Sequence, residues 1–281
     1  MMSIVLPAYN EATVIARALT AILAQAAPGE FEVIVVCNGC RDDTAEVARR
    51  FGASVTVIET PVANKTHALN LGDQAARGFP RFYVDADVVV TPDVLRALAR
   101  RLEKGDVLVC SPTGRMDATG SSWPVRQYFK VRSLLPSARE GVGGSGVYAL
   151  SEAGRRRFDH FPEIVADDAF VRFQFAPRER ETLSSAKSTV FAPRALKPLL
   201  SVRSRIYYGM MELSAVCPDR YHHEPTTNVV ALLNLLKRPK LWAGVLIYAY
   251  VCVAARARAK RRSRVGGKVW QRDDTTRALR A

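Results

Sequence analysis

Arg81-Phe82-Tyr83-Val84-Asp85-Ala86-Asp87-Val88-Val89-Val90-Thr91-Pro92 contains an apolar run, two carboxylates one residue apart, and a Thr-Pro pair. The apolar run reads as a strand, Arg81 to Asp85. Thr91-Pro92 opens a helix in cap and first-turn positions, running to about Glu103. Side chains alternate along an extended strand, so Asp85 and Asp87 can share a face at its end. Carboxylates held close together repel, and one pKa rises unless a cation lies nearby. A hard divalent ion holding a diphosphate suits such a pair, since Mg²⁺ is commonly bound by one or two carboxylates plus substrate phosphates. Asp-x-Asp also occurs in solvated turns, so the pattern alone leaves both readings open.

Working outward, short apolar runs alternate with helical patterns. Ser3 to Leu6, Phe31 to Val36, Val55 to Ile58 and Val107 to Cys110 read as further strands. Helices are expected over Glu11 to Ala27, about Asp42 to Arg50 and about Lys65 to Ala76. In the first of these Ile15, Leu19, Ile22, Leu23 and Ala26 recur at helical spacing, with Asn10 placed to cap it and Glu11 favourable in the first turn. Such alternation predicts parallel pairing in a doubly wound α/β sheet, whose ligands bind outside the carboxyl ends of the strands. Polar groups fall there: Pro7 to Glu11, Asn38-Gly39, and Asp85 to Asp87.

The second half is less regular. Trp123 to Leu134 reads as a helix. Gly141-Val142-Gly143-Gly144-Ser145-Gly146-Val147-Tyr148-Ala149-Leu150 is a glycine-rich approach to a strand, fitted either to close approach by a phosphate or sugar or to a tight turn. Its spacing does not match G-x-x-x-x-G-K-[ST], which excludes a P-loop. Glu163 to Phe175 reads as a helix with Asp167-Asp168 near its start. Neighbours on a helix point about 100° apart, so the two carboxylates do not share one job. One can face a cleft as a general base while the other contacts a hydroxyl or the backbone; equally, both can be a negative first turn stabilised by the helix dipole.

Composition bounds the class. A chain of 281 residues with 48% hydrophobic content suits one large domain, or a domain with an appendage. Ser3-Ile4-Val5-Leu6 runs directly into Pro7 with no charged n-region and cleavage site, so no secretory leader is expected. Five scattered cysteines suit a reducing cytosol; Cys37-Asn38-Gly39-Cys40 matches C-x-x-C, but no second pair or histidine cluster supports zinc or redox use. Of the formal charge of +14, +11 lies from Lys237 onward and only +3 in the preceding 236 residues. That distribution is a local anchor rather than a duplex-binding face, and no nucleic-acid partner is expected.

Ile4-Val5-Leu6-Pro7-Ala8-Tyr9-Asn10-Glu11, Val33 to Thr44, Lys65 with Ala68-Leu69-Asn70, Asp85-Ala86-Asp87 and Asp167-Asp168 occur in that order. Together they resemble the family 2 glycosyltransferases of GT-A fold, over roughly residues 3 to 175. The resemblance implies a Rossmann-like, mostly parallel sheet flanked by helices, and an inverting transfer of a sugar, hexosyltransferase-type, from a nucleotide-diphospho-sugar such as a UDP- or GDP-sugar to a hydroxyl. By position, Pro7, Tyr9 and Glu11 would line the nucleoside pocket, with Asn38 where the family usually has an aspartate. Lys65 would lie near the base or phosphates. Asp85 would contact ribose and metal, and Asp87 would be the direct ligand of Mn²⁺ or Mg²⁺. Asp168 would be the general base, Asp167 stands in for the more usual glutamate, and Gly144, Ser145 and Gly146 would form the acceptor-side loop. The chemistry asks for such a set: inversion needs a base opposite the leaving group, and the departing diphosphate needs positive charge.

Departures matter. Asn38 can donate as well as accept, which loosens any reading of the base. The Gln-x-x-Arg-Trp motif of processive members is absent, favouring a single-addition enzyme. Arg203 and Arg205 fall in the region expected to reach a pyrophosphate, or are solvated helix charges.

Leu241 to Ala255 is fifteen residues without a charge. As a helix it reaches only about 22 Å, short of the ~20 residues that span a bilayer. Lys237, Arg238 and Lys240 precede it, and Arg256, Arg258, Lys260, Arg261, Arg262 and Arg264 follow. Apolar helix with cations on both flanks is the profile of an in-plane or partly embedded anchor on an anionic membrane; the competing expectation is a core helix with a solvated basic end. Trp270 to Thr275 could fold back as a cap. The expected organisation is a nucleotide-sugar half (1–110), an acceptor and catalytic half (111–225) and a basic, helical, membrane-associating region (226–281). The expected enzyme is peripheral or monotopic on the cytoplasmic face of the cell membrane, acting on a lipid-linked or surface-glycan precursor. A same-fold nucleotidyltransferase would need a glycine- and basic-rich loop after the first strand, which Pro7-Ala8-Tyr9-Asn10 is not. A non-catalytic adaptor would leave the four carboxylates unexplained.

Overall fold

The structure, a computed structural model, describes residues 1–138, 142–218 and 228–265. Gly141 and the segment Trp270 to Thr275, both singled out above, lie outside the described residues. The described residues form two compact units, 1–115 with 142–190, and 116–138 with 191–218 and 228–265.

In the first unit, β1 (Met2–Ala8), β2 (Phe31–Asn38), β3 (Val55–Thr60) and β4 (Arg81–Val84) alternate with α1 (Ile15–Leu23), α2 (Thr44–Arg49) and α3 (Lys65–Ala75), and α4 (Pro92–Leu102) follows β4. β5 (Val109–Asp117) comes next. After the excursion into the second unit come β6 (Val147–Leu150), short helices α6 (Glu152–Arg155) and α7 (Asp167–Arg172), and β7 (Arg180–Phe191). The strands form one seven-stranded sheet in the order β3-β2-β1-β4-β6-β5-β7. β1 to β4 pair in parallel, as the alternation predicts, whereas β6 enters antiparallel between β4 and β5. The sheet is therefore mixed. A pairing such as Tyr83 with Tyr148 joins distant residues, and local periodicity carries no trace of it.

The core follows the apolar runs. Ile4 and Leu6 of β1, Val33 and Val35 of β2 and Phe82 and Val84 of β4 pack against Ile15, Leu19 and Ile22 of α1 and Leu95 and Leu98 of α4. Each such side chain removed from water contributes roughly 1.5–3 kcal/mol.

Two expected helices are shorter than their patterns. α1 starts at Ile15 because Asn10 sits at φ 53 and turns its side chain to the Arg41 N–H, 2.7 Å away, so it does not cap. The Glu11 carbonyl instead receives the N–H groups of Val14 and Ile15. The helix expected from Glu163 to Phe175 is confined to Asp167–Arg172. Upstream, Asn70 of α3 accepts from the Phe161 N–H (2.9 Å) and donates to its carbonyl (3.0 Å), and the Ile164 N–H turns back onto the Pro162 carbonyl (2.8 Å) in place of a helical turn.

The second unit is helical: α5 (Trp123–Arg132), α8 (Leu196–Val216), α9 (Asn228–Leu235) and α10 (Trp242–Val265). Val125, Tyr128 and Val131 of α5 share a core with Leu199 and Leu200 of α8 and with Val245, Tyr248, Val251 and Ala255 of α10. α10 is longer than the uncharged run that announced it, continuing through the arginines. Its buried stripe is matched by an exposed one, Trp242, Leu246, Tyr250 and Val253, and α9 adds exposed Val229, Val230 and Leu233.

Candidate active site

The carboxyl ends of β1 and β4, the start of α3, the glycine loop before β6 and the start of α7 converge on one cleft of the first unit. β4 ends at Val84, and Asp85 to Val88 close a turn through Val88 N–H to the Asp85 carbonyl (3.0 Å). The same-face argument from strand alternation therefore does not apply to Asp85 and Asp87. Asp85 lines the cleft; Asp87 lies two residues on in the turn, where its carbonyl accepts from Arg17.

Lys65 is delivered by capping. The Asn64 side chain accepts from the His67 N–H (3.0 Å), so α3 begins at Lys65, the first helical residue. Its ammonium lies 2.8 Å from Asp85 and 3.0 Å from Asp167. Burial disfavours that charge, but Asp167 and Asp85 outweigh burial and raise the lysine pKa. Asp167 is 4% exposed. Burial first, with Asp168 and Asp85 adding and Lys65 opposing, pushes its carboxyl up to about 6. Its Oδ2 is buried with no hydrogen-bond partner. Asp168 is half-buried beside it and accepts from the Ala169 N–H at 2.8 Å.

The glycine loop closes the other wall. The Gly146 carbonyl accepts from the Asp85 N–H (2.9 Å), and the Ser145 carbonyl accepts from the Ser188 hydroxyl of β7 (2.8 Å). Gly146 has φ 65, and a Cβ there would lie 2.4 Å from Val88 and 3.3 Å from an Asp85 carboxylate oxygen. Only glycine lets this strand-end approach the carboxylate turn so closely. Tyr83 and Tyr148, opposite each other on β4 and β6, stack 4.9 Å apart at the base of the cleft. The Tyr148 hydroxyl is buried without a partner, and burial, then Asp167, raises its pKa well above the ordinary value.

Pro7, Lys65, Asp85, Gly144, Ser145, Gly146, Asp167 and Asp168 thus meet in one cleft. The other expected residues sit elsewhere. Tyr9 follows β1 and is half-buried. Glu11 is buried, its N–H on the hydroxyl of Thr44, the first residue of α2 (2.7 Å). Asn38, 4% exposed, ends β2 opposite Thr60. Arg203 and Arg205 lie on α8 of the second unit. The reading from sequence missed Tyr83, Tyr148 and Gly143 as cleft residues, although all three stood in segments it singled out; cross-strand pairing places the two tyrosines together.

No group of three or more His, Cys, Asp and Glu placed to hold a metal occurs among the described residues. One or two carboxylates plus substrate phosphates suffice for Mg²⁺ or Mn²⁺. Asp85, at the cleft with its side chain 40% exposed, is one hard oxygen donor of that kind, and Asp87 follows two residues on in the same turn. All five cysteines are free thiols.

The profile of Glycosyl transferase family 2 matches residues 3–168. The chain belongs to this family. A relative, the undecaprenyl-phosphate 4-deoxy-4-formamido-L-arabinose transferase of Pseudomonas savastanoi pv. phaseolicola, is 25% identical over 263 residues, 89% of this chain and 73% of that protein. Glycosyltransferase AglD of Haloferax volcanii is 35% identical over 129 residues, covering 43% of this chain but only 19% of its own length. Among solved structures, the mannosyltransferase PcManGT of Pyrobaculum calidifontis, in complex with GDP-Man and Mn²⁺, superposes with TM-score 0.63 at 20% identity, over 95% of this chain and 76% of that one. Glucosyl-3-phosphoglycerate synthase of Mycobacterium tuberculosis gives 0.57 at 20% identity, over 78% and 80%. At these identities the likeness shows the fold. The mixed seven-stranded sheet flanked by helices is the GT-A fold of this glycosyltransferase family.

Proposed function

We propose that this family 2 glycosyltransferase moves a sugar, with inversion, from a nucleoside-diphospho-sugar to the hydroxyl or phosphate-bearing head of a lipid-linked or surface-glycan acceptor. The observation that carries this reading is the set of three carboxylates, Asp85, Asp167 and Asp168, gathered around Lys65 in one cleft under a glycine loop. The name of the Pseudomonas relative, an undecaprenyl-phosphate transferase, supports a lipid-linked acceptor.

Each residue has a physical part. Lys65 neutralises Asp85 and Asp167, so that a third carboxylate, Asp168, can stay in the cleft without mutual repulsion dominating. Asp168, at the cleft surface, takes the proton of the attacking acceptor group. Buried Asp167 holds Lys65 in place. Asp85 receives the nucleotide's ribose, Pro7 lines the nucleoside side, and Gly144 to Gly146 admit the acceptor. A divalent ion held by Asp87 with Asp85 supplies, when bound, positive charge to the departing diphosphate. In the second unit, the exposed apolar stripes of α9 and α10, with exposed Lys237, Arg238 and Lys240 between them, support peripheral attachment to an anionic membrane surface.

A screen of UDP- and GDP-sugars with Mn²⁺, read by release of nucleoside diphosphate, tests the reaction. Asp168→Asn should lower turnover by about 10³-fold or more while leaving nucleotide affinity nearly unchanged. Asp87→Asn should weaken metal-dependent donor binding. Near-normal turnover in Asp168→Asn would remove the base from this residue.

A further inference from the structure

Two polar atoms at the floor of the cleft are used by none of the contacts that build it. Tyr148, 5% exposed, and Asp167, 4% exposed, both line the cleft. The Tyr148 hydroxyl and the Asp167 Oδ2 are each buried with no hydrogen-bond partner. Of the charged groups around that hydroxyl, Asp167 acts on it most strongly. The atoms beside them are satisfied. Asp167 Oδ1 takes the Lys65 ammonium at 3.0 Å. Tyr83, stacked on Tyr148 at 4.9 Å, donates its hydroxyl to Asp73 at 2.6 Å. Asp73 is fixed in turn by Arg81 and Arg155, each at 2.6 Å. The Tyr148 ring thus lies against a locked ring, yet its own hydroxyl has no acceptor.

A buried donor or acceptor without a partner costs roughly 1–3 kcal/mol. Native folds leave few such atoms, and each that persists calls for a role. The charges around this pair select what it binds. Asp85, Asp167 and Asp168 line the same cleft and oppose an anion, while Lys65, already on the Asp167 carboxyl, opposes a second cation. What remains is a neutral group that accepts from the phenol and donates to the carboxylate. A hydroxyl does both through one oxygen.

We propose that Tyr148 is a substrate-binding residue, its hydroxyl and the Asp167 Oδ2 together holding one hydroxyl of the transferred sugar. This rests on the transferase reading above. In that reading the sugar lies between Asp85, which holds the nucleotide, and Asp168, which meets the acceptor, and both line the cleft with Tyr148. A site built to hydrogen-bond a hydroxyl rejects the analogue that lacks it, so Tyr148 sets specificity among sugars.

The test compares each donor with its own nucleoside diphosphate, which separates the sugar from the nucleotide. The full chain with Mn²⁺ is titrated with UDP, GDP, UDP-glucose, UDP-galactose, UDP-N-acetylglucosamine and GDP-mannose. At least one nucleotide-sugar should bind the wild type more tightly than its nucleoside diphosphate. Tyr148→Phe, nearly isosteric, should weaken that donor by about three- to tenfold, the worth of one hydrogen bond, and bind UDP and GDP as before. Its unliganded melting temperature should equal or exceed that of the wild type, because the hydroxyl removed has no partner; a hydroxyl with a purely structural role would lower it. Among monodeoxy analogues of the best-bound donor, one should cost the wild type a similar factor and Tyr148→Phe little. The proposal is overturned if no sugar adds to the affinity of its nucleoside diphosphate, or if Tyr148→Phe keeps the full sugar contribution. Either result leaves metal-dependent binding of UDP or GDP, and with it the transferase reading, standing. A wild type that binds neither nucleotide removes both.

Discussion

Lys65 is the residue on which the cleft's charge balance turns. Its ammonium pairs with both Asp85 and Asp167 there, and the buried carboxyl of Asp167 is held up at about 6 from an ordinary 3.8. A carboxyl whose folded-state pKa is raised is favoured in its protonated form by folding. The stability it contributes is complete below pH about 3.8 and is lost as pH rises through about 6. Asp167→Asn imitates the protonated acid, so its melting temperature should lack this portion of the wild-type decline across that window. Lys65→Met removes the charge that opposes the upward shift, so the window should move to higher pH. Unfolding scans at a series of pH values measure both; an unchanged profile in Asp167→Asn would show that another group carries the slope. Residue chemistry of this kind was only half legible in the sequence. Asp85, Asp167, Asp168 and Lys65 stood out as types, but the two ion pairs joining them depend on α3 beginning at Lys65, which the Asn64 cap decides.

Elements were legible where their burial is one-sided and local. β1 to β4 and the helices between them follow from apolar periodicity, because each buries one face on its sequence neighbours. Legibility failed where the chain pairs at a distance: β6 between β4 and β5, and β7 beyond, whose burial alternates too weakly to announce a strand. The uncharged apolar run is fifteen residues, but the α10 helix runs 24 residues and divides its surface lengthwise. Val251 is 0% exposed while Leu246 is 71% and Val253 69% exposed. Leu246→Glu and Val253→Glu should therefore leave thermal stability within about 0.5 kcal/mol, as for other exposed positions. Both should reduce flotation with anionic vesicles. Val251→Glu, by contrast, places a charge in the core of the helical unit and should unfold it. Equal flotation of wild type and Leu246→Glu would show that this stripe does not touch the membrane.

The whole molecule is electrostatically lopsided. Eleven of its fourteen net positive charges lie from Lys237 onward, whereas the α/β unit ties its arginines to carboxylates such as Asp73, Glu30 and Asp106. Attachment through exposed cations is screened over a Debye length of about 10 Å at 0.1 M salt and about 3 Å at 1 M. Recovery on anionic vesicles should fall several-fold from ~0.05 M to ~0.5 M NaCl, leaving a remainder held by the apolar stripes. Salt-independent recovery would mean that the cations do not face the lipid. Charge distribution was fully readable from sequence; the division into units was not, because the helical unit is assembled from two separated stretches of chain.

That discontinuity has a consequence for the protein's biogenesis. α5 is synthesised in the middle of the α/β unit, but the helices that cover Val125, Tyr128 and Val131 come later, and α10 begins about 110 residues after α5 ends. At a ribosomal pace of roughly 5–20 residues per second, that apolar face waits some 5–20 seconds for its cover. The nascent chain thus displays a sticky helix from a nearly finished sheet, inviting a chaperone or an early encounter with lipid before the last helix emerges.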